Sequence, residues 1–313
     1  LYSPFTEEIN FLKTNKKNKY LPNMTLSDEI VFTSNIQKAV CSSEILIMAT
    51  PSVCMRDVCI SIKPYIDNQI IVNVSKGLEN ETLYTMSEVI HSVLPDSSVV
   101  VLSGPTHAEE VAMSLPTTIV SACQDIGTAN RIADLFTGSC IKAYTNWDVR
   151  GVEICAAFKN VIALACGVAS GLGYGDNMRA AIITRGMNEI SRLGKAMGCV
   201  SETFCGLAGF GDLVVTATSE HSRNNCCGKL IGQGCDVKTA VEKVGMVVEG
   251  LNALIPAVKL AKRYNVRMSI VSALNDIVNN GKSAKEAFTE LMNKPVKSEF
   301  EKTELEIIYE ENI

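Results

Sequence analysis

Short apolar runs recur through the first half of the chain, each closed by a polar or glycine-containing turn and followed by a stretch of helical spacing. Glu44–Ala49 (EILIMA) leads into Thr50-Pro51-Ser52, Ile70–Val74 (IIVNV) into Ser75-Lys76-Gly77, and Val99–Leu102 (VVVL) into Ser103-Gly104-Pro105-Thr106. Runs that are apolar throughout, instead of alternating, predict strands buried on both faces, and their alternation with helices predicts a parallel sheet. Thr118–Ala122 and Ile141–Thr145 predict two further strands. Past about Asp148 the strand pattern fades into helical stretches rich in Ala, Leu, Ile and Val, broken by glycines at Gly171–Gly175 and Gly206–Gly211. The pattern predicts two domains, a sheet domain over 1–148 and an all-helical domain over 149–313, with the charged segment Glu299–Ile313 as a solvated helix or tail.

Between Ile154 and Gly175 the only charge is Lys159, which raises the question of a membrane span. Beyond Asn160 the stretch is too short and too glycine-rich to cross a bilayer, so a buried helix and no membrane span are expected.

With 313 residues, 47% of them hydrophobic and 20% charged, the chain can bury a large core. A formal net charge of −5 gives no general attraction to nucleic acid or an anionic membrane, so clustered cations must be read locally, as a pocket. The 12 cysteines are scattered, with no C-x-x-C spacing, and read as free thiols of a reducing cytoplasm. With three histidines, His91, His107 and His221, no metal-ligand cluster is expected. The opening LYSPFTEEINFLK has neither a charged leader nor an apolar signal core.

Ligands of an open parallel sheet lie beyond the carboxyl ends of its strands, which directs attention to the three turns after the runs at 44, 70 and 99. Lys76 follows a buried strand directly, and Gly77 allows close backbone approach; the ammonium is placed either to hold a phosphate or carbonyl or to sit as a surface lysine in a turn. Thr106 with Glu109 three residues on has the spacing of a capping box, and the free N–H groups of such a helix start, beside Gly104, suit an anion or polar substrate.

Lys159 is the most informative residue. A lone ammonium in an apolar helix is costly unless it is paired or loses its proton, and desolvation lowers its pKa toward acid–base use near neutrality; the alternative is a lysine snorkelling to water. Asp212, after Gly206-Leu-Ala-Gly-Phe-Gly, offers an ion-pair partner for it. Ser222-Arg223-Asn224 groups a hydroxyl, a guanidinium and an amide suited to clamping phosphate, or reads as a serine helix cap followed by a solvent-facing arginine.

Taken together, SKGLENET (75–82), LSGPTHAEEVA (102–112), Pro116-Thr117, the run GVEICAAFKNVIALACGVASGLGYGDNMRAAIITRGMNEISRLG (151–194), TFCGLAGFGDLVVT (203–216), SRNNCCG (222–228) and VVEG (247–250) resemble the NAD(P)-dependent glycerol-3-phosphate dehydrogenases. The resemblance runs from about Tyr20 to residue 299. It implies an α/β fold, a Rossmann-like parallel-sheet domain followed by an all-helical C-terminal domain, and reversible reduction of dihydroxyacetone phosphate to sn-glycerol 3-phosphate with NAD or NADP. The product would feed glycerophospholipid synthesis. By the same resemblance Lys159 is the proton donor or acceptor. Lys76, Gly104, Thr106, Asp212, Ser222, Arg223 and Asn224 join it in binding substrate, while Lys76, Ala108, Arg223, Val247 and Glu249 contact the cofactor. A cytoplasmic homodimer is implied as well.

One departure stands out: no G-x-G-x-x-G lies ahead of the first strand, and LYSP resembles the end of the family's second strand. The sheet domain is therefore expected to be N-terminally incomplete here, with a first strand, glycine loop and helix of roughly 30 residues ahead of Leu1. Two rivals are another two-domain dehydrogenase, acting on 6-phosphogluconate or a 3-hydroxy acid, and a remnant that keeps the phosphate pocket without the activity.

Overall fold

The computed structural model describes residues 1–18, 20–220 and 222–295. The charged segment expected to form a tail at 299–313 lies outside the described residues.

A helix, Thr6–Asn15, leads into a small antiparallel hairpin of β1 (Lys17–Asn18) and β2 (Leu21–Thr25). The main sheet has five strands in the order β3 (Ile45–Met48), β4 (Ile70–Asn73), β5 (Val99–Ser103), β6 (Thr117–Ala122) and β7 (Ile141–Asn146). Strands β3, β4 and β5 are parallel. Each residue of β4 is buried, because successive side chains feed two different cores. Ile71 joins Met48, Met55, Cys59, Met86 and Ile90 on one face; Ile70 and Val72 join Val100, Cys123, Ala129 and Ile132 on the other. This is why that run reads as continuously apolar; β3, at the end of the strand order, departs from the expectation of burial on both faces, with Ile47 64% exposed.

The expected parallel sheet is found, with one antiparallel seam. β6 runs antiparallel to β5, with Val101 opposite Ala122, and β7 then runs parallel to β6. A parallel partner needs a crossover long enough to carry the chain back. Between β5 and β6 there is only one five-residue helix, Ala108–Ala112, flanked by Pro105 and Pro116.

After β7 the regular elements among the described residues are all helices. Asp148 caps the helix Val149–Gly171, accepting from Gly151 N at 3.0 Å, and also accepts from Val200 N and the Thr203 hydroxyl, at 2.9 and 2.8 Å. Every residue from 151 to 169 is buried. At 23 residues this helix is long enough for a bilayer, so the length argument made from the sequence fails. The burial argument carries the reading: the whole apolar window is enclosed by other parts of the chain. Part of that enclosure is the helix Arg223–Gly232, which approaches at backbone contact. A Cβ on Gly167 would lie 2.1 Å from Asn225 O, and one on Gly228 2.1 Å from Leu164 O.

Candidate active site

Lys159 projects from the middle of the buried helix and is 5% exposed. Its ammonium pairs with Asp212 Oδ1 and donates to Thr216 Oγ1 at 2.8 Å. Asp212 opens the helix Asp212–Thr218, directly after the single wide π-helical turn Leu207–Gly211, so the glycine break seen in the sequence delivers the carboxylate into the core. Thr216 is one helical turn on, and its hydroxyl donates to Asp212 O at 2.7 Å, which leaves its lone pair facing Lys159.

The other oxygen of Asp212 receives Lys76 Nζ at 2.8 Å. Lys76 lies in the turn after β4 and also reaches Gly104 O, 3.4 Å away in the turn after β5. One carboxylate thus holds two ammonium groups, one from each half of the molecule. Burial lowers the pKa of Lys159 to about 7, and the charge on Lys76 pushes the same way, against Asp212. Burial by itself would raise Asp212, but Lys76 and Lys159 outweigh it and hold its carboxyl below the usual range. The buried, paired lysine is the arrangement found; snorkelling to water is not.

Around this centre, Asn224 Nδ2 donates to Asn160 Oδ1 at 3.0 Å, and Gly250 N donates to Asn224 Oδ1 at 2.8 Å. Ser222 caps the helix Arg223–Gly232, accepting from Asn225 N at 3.3 Å, and is buried. Arg223 is exposed. Both halves of the cap reading are therefore present, and the Arg223 charge acts on Glu249. Glu249 accepts from Ser52 Oγ at 3.1 Å, joining the helix Glu249–Arg263 to the turn after β3; its pKa is raised by burial. Val247 is 45% exposed beside it.

The capping box expected at Thr106 and Glu109 does not form. The helix starts at Ala108 with His107 at its N-cap, and the Thr106 hydroxyl donates to Gly104 O at 3.2 Å. Helical geometry begins one residue later than the pattern requires, after the turn at Pro105, so Glu109 is the second helical residue and not the third. Both Thr106 and Ala108 are exposed. The S/T-x-x-E pattern does form at Thr85 and Glu88, as a complete capping box.

Gly77 and Gly104 have φ of +154° and +149°, and their missing side chains are required by contact: a Cβ would lie 2.6 Å from Ser52 Cβ and 2.8 Å from Thr118 O respectively. At the same strand ends, Thr50 Oγ1 and Ser103 Oγ are buried with no hydrogen-bond partner among the described residues. Close backbone approach and two orphaned hydroxyls fit a polar ligand lying across the ends of β3, β4 and β5, such as the nicotinamide portion of a dinucleotide. Sequence reasoning placed Thr50, Ser52 and Ser103 in the turns facing the crevice without giving them individual roles, and it missed Thr216, for which the signal was available, four residues beyond Asp212 on the same helix face.

The profile of the NAD-dependent glycerol-3-phosphate dehydrogenase N-terminus matches residues 2–129, and that of the C-terminus of the same enzymes matches residues 148–289. The chain is 50% identical to glycerol-3-phosphate dehydrogenase [NAD(P)+] 2 of Lactobacillus delbrueckii over 96% of this chain and 92% of that protein. It is 46% identical to glycerol-3-phosphate dehydrogenase [NAD(P)+] of Agathobacter rectalis over 93% of this chain and 88% of that protein. The crystal structure of glycerol-3-phosphate dehydrogenase from Coxiella burnetii superposes with a TM-score of 0.90 at 31% identity, covering 94% of this chain and 91% of that one.

Proposed function

The chain belongs to the NAD-dependent glycerol-3-phosphate dehydrogenase family, and on that premise we propose that it reversibly reduces dihydroxyacetone phosphate to sn-glycerol 3-phosphate with NAD or NADP. The observation that carries the reading is the single carboxylate of Asp212 holding Lys159 and Lys76 together.

Reduction of the ketone needs a hydride on carbon and a proton on oxygen. The nicotinamide supplies the hydride; Lys76, Ala108, Arg223, Val247 and Glu249 would hold the dinucleotide, beside the turns after β3, β4 and β5. Lys159 gives its proton to the carbonyl oxygen and leaves as the neutral amine. Its lowered pKa makes that transfer possible near neutral pH. Asp212 and Thr216 aim the ammonium, and Thr216 stays an acceptor because its own proton is spent on Asp212 O. In the reverse direction the neutral Lys159 takes the proton from the alcohol.

Lys76, Gly104 and Thr106 bind the substrate from the sheet side. Arg223 clamps the phosphate with a planar fork of donors, with Ser222 and Asn224 setting the start of its helix. A sheet domain over 1–148, a helical domain over 149–313, a cytoplasmic setting and a homodimer belong to the same reading.

The test is dihydroxyacetone phosphate-dependent oxidation of NADH and NADPH by the full chain. Turnover with this ketone, and none in oxidising 6-phosphogluconate or 3-hydroxy acids, is the expected result. Dihydroxyacetone phosphate binding without turnover would replace the enzyme with the phosphate-binding remnant.

A further inference from the structure

Glu153 is a buried charge that the reaction above does not use. It lies on the same helix as Lys159, six residues earlier, and is 4% exposed. Its carboxylate accepts three hydrogen bonds: Ser87 N at 2.8 Å and Asn73 Nδ2 at 3.4 Å on Oε1, and Ser87 Oγ at 2.5 Å on Oε2. Burial raises its pKa to about 6 despite these donors. An ionisable group kept inside a core at that cost calls for a reason.

Asn73 supplies one. It is the last residue of β4, fully buried, and its amide brackets Ser75 from both sides: Ser75 N donates to Oδ1 at 3.0 Å, and Nδ2 donates to Ser75 O at 3.1 Å. Ser75 Oγ in turn donates to Thr50 O at 2.5 Å, with Met48 O 3.2 Å away as a second acceptor for the same proton, fixing the turn after β3. The next residue is Lys76. A continuous path of hydrogen bonds and backbone therefore runs from the helix carrying Lys159, through Glu153, Asn73 and Ser75, to Lys76, and closes again at Asp212.

We propose that Glu153 is a positioning residue that, through Asn73, fixes the Ser75–Lys76–Gly77 turn of the sheet against the helix bearing Lys159, so that both ammonium groups meet Asp212. Two lysines on one carboxylate tolerate little error, since their mutual repulsion separates them once either drifts. An anchor on the helix itself makes the sheet-side turn move with Lys159. Misplacement of a reacting group by about 1 Å costs on the order of 100-fold in rate, which is the scale such an anchor protects.

The proposal rests on the reaction assigned above, and two measurements keep the failures apart. In steady-state kinetics of the full chain, Glu153→Ala and Asn73→Ala each lower kcat about tenfold or more, while the KM for dihydroxyacetone phosphate moves less than about threefold. Glu153→Gln, whose amide oxygen can still accept from Ser87 N and Asn73 while its NH2 faces the Ser87 hydroxyl, stays within about threefold of the parent. The double variant is no slower than the worse single one by more than about twofold, because both changes break the same link. Multiplying losses, or a Glu153→Gln enzyme as slow as Glu153→Ala, would overturn it.

Amide exchange supplies a readout that needs no turnover. In Glu153→Ala, where Asn73 is intact, the Ser75 amide should exchange at least about tenfold faster, with the thermal midpoint recorded alongside. Unchanged exchange there overturns the proposal whether or not the parent protein acts on dihydroxyacetone phosphate. An inactive parent with the accelerated exchange overturns the assigned reaction and leaves the link standing.

Discussion

The two sides of the site are built on opposite plans. On the helical side Lys159, Asn160, Asp212, Thr216 and Asn224 are none of them more than 8% exposed, and each is held by at least one named hydrogen bond. On the sheet side Lys76 is only partly buried, while Thr106 and Ala108 are exposed and lie on or beside a turn. The proton-transferring Lys159 and its partners are locked by packing before substrate arrives; the gripping groups Lys76, Thr106 and Ala108 stand at a more open rim, to which the helical side adds exposed Arg223 and Val247. That division follows the general requirement that reacting groups be preorganised and that binding surfaces be reachable.

The sharpest way to break this contrast is to remove the locked group. Lys159→Ala should lower kcat for dihydroxyacetone phosphate reduction by about 100-fold or more, the scale of a lost general acid. The fold should survive, because Asp212 keeps Lys76 as a partner and is not left as an unpaired buried charge. A kcat within about threefold of the parent would take Lys159 out of the chemistry.

The same contrast predicts a pH profile. Lys159 must be protonated to reduce the ketone and neutral to oxidise the alcohol, and its pKa lies at about 7. Reduction should fall as pH rises through that value, and oxidation should rise. Lys76 helps to depress this pKa from the sheet side, so in Lys76→Met the residual activity should show both limbs displaced to higher pH. Limbs that stay in place would mean that the ionisation seen belongs to another group.

At the rim the losses should be smaller and appear in binding. Arg223→Ala should raise the KM for dihydroxyacetone phosphate about tenfold, the worth of one charge-assisted hydrogen bond of about 1.5 kcal/mol, and affect kcat less. An unchanged KM would mean that the phosphate is held elsewhere.

How much of this was legible depended on what each signal rested upon. Apolar runs mark the segments that enter the sheet, so the five strands of the main sheet were visible to within a residue or two; the buried helix was visible as an element, but it begins five residues earlier and ends four earlier than the stretch Ile154–Gly175. Strand direction is set by connections, so the antiparallel seam at β6 was not visible. Lys159 stood out because a charge amid apolar neighbours is costly wherever it folds. Its partnership with Asp212 was a possibility in the sequence and a contact only in space, 53 residues apart. Glu153 escaped notice because it sits at the start of the helix, immediately before the apolar run, where a charge looks like an ordinary solvated first turn. Thr106 misled for a related reason: the capping pattern is local, and the helix starts one residue beyond its reach.

Ser52 marks the place where the two plans touch, and it offers the finest test of the contrast. Its hydroxyl, in the turn after β3, reaches Glu249 at the start of a helix, a hydrogen bond of 3.1 Å spanning 197 residues. If the sheet side only grips, removing this bond should loosen the cofactor crevice and leave the proton-transfer groups undisturbed. Ser52→Ala should therefore raise the KM for the nicotinamide cofactor by about two- to fivefold, the effect of one neutral-to-charged hydrogen bond of about 1 kcal/mol at a partly buried site, with kcat unchanged. A fall in kcat at constant KM would show that the turn after β3 helps to set the geometry at Lys159, and the line between a locked helical side and an open sheet side would have to be redrawn on the other side of Ser52.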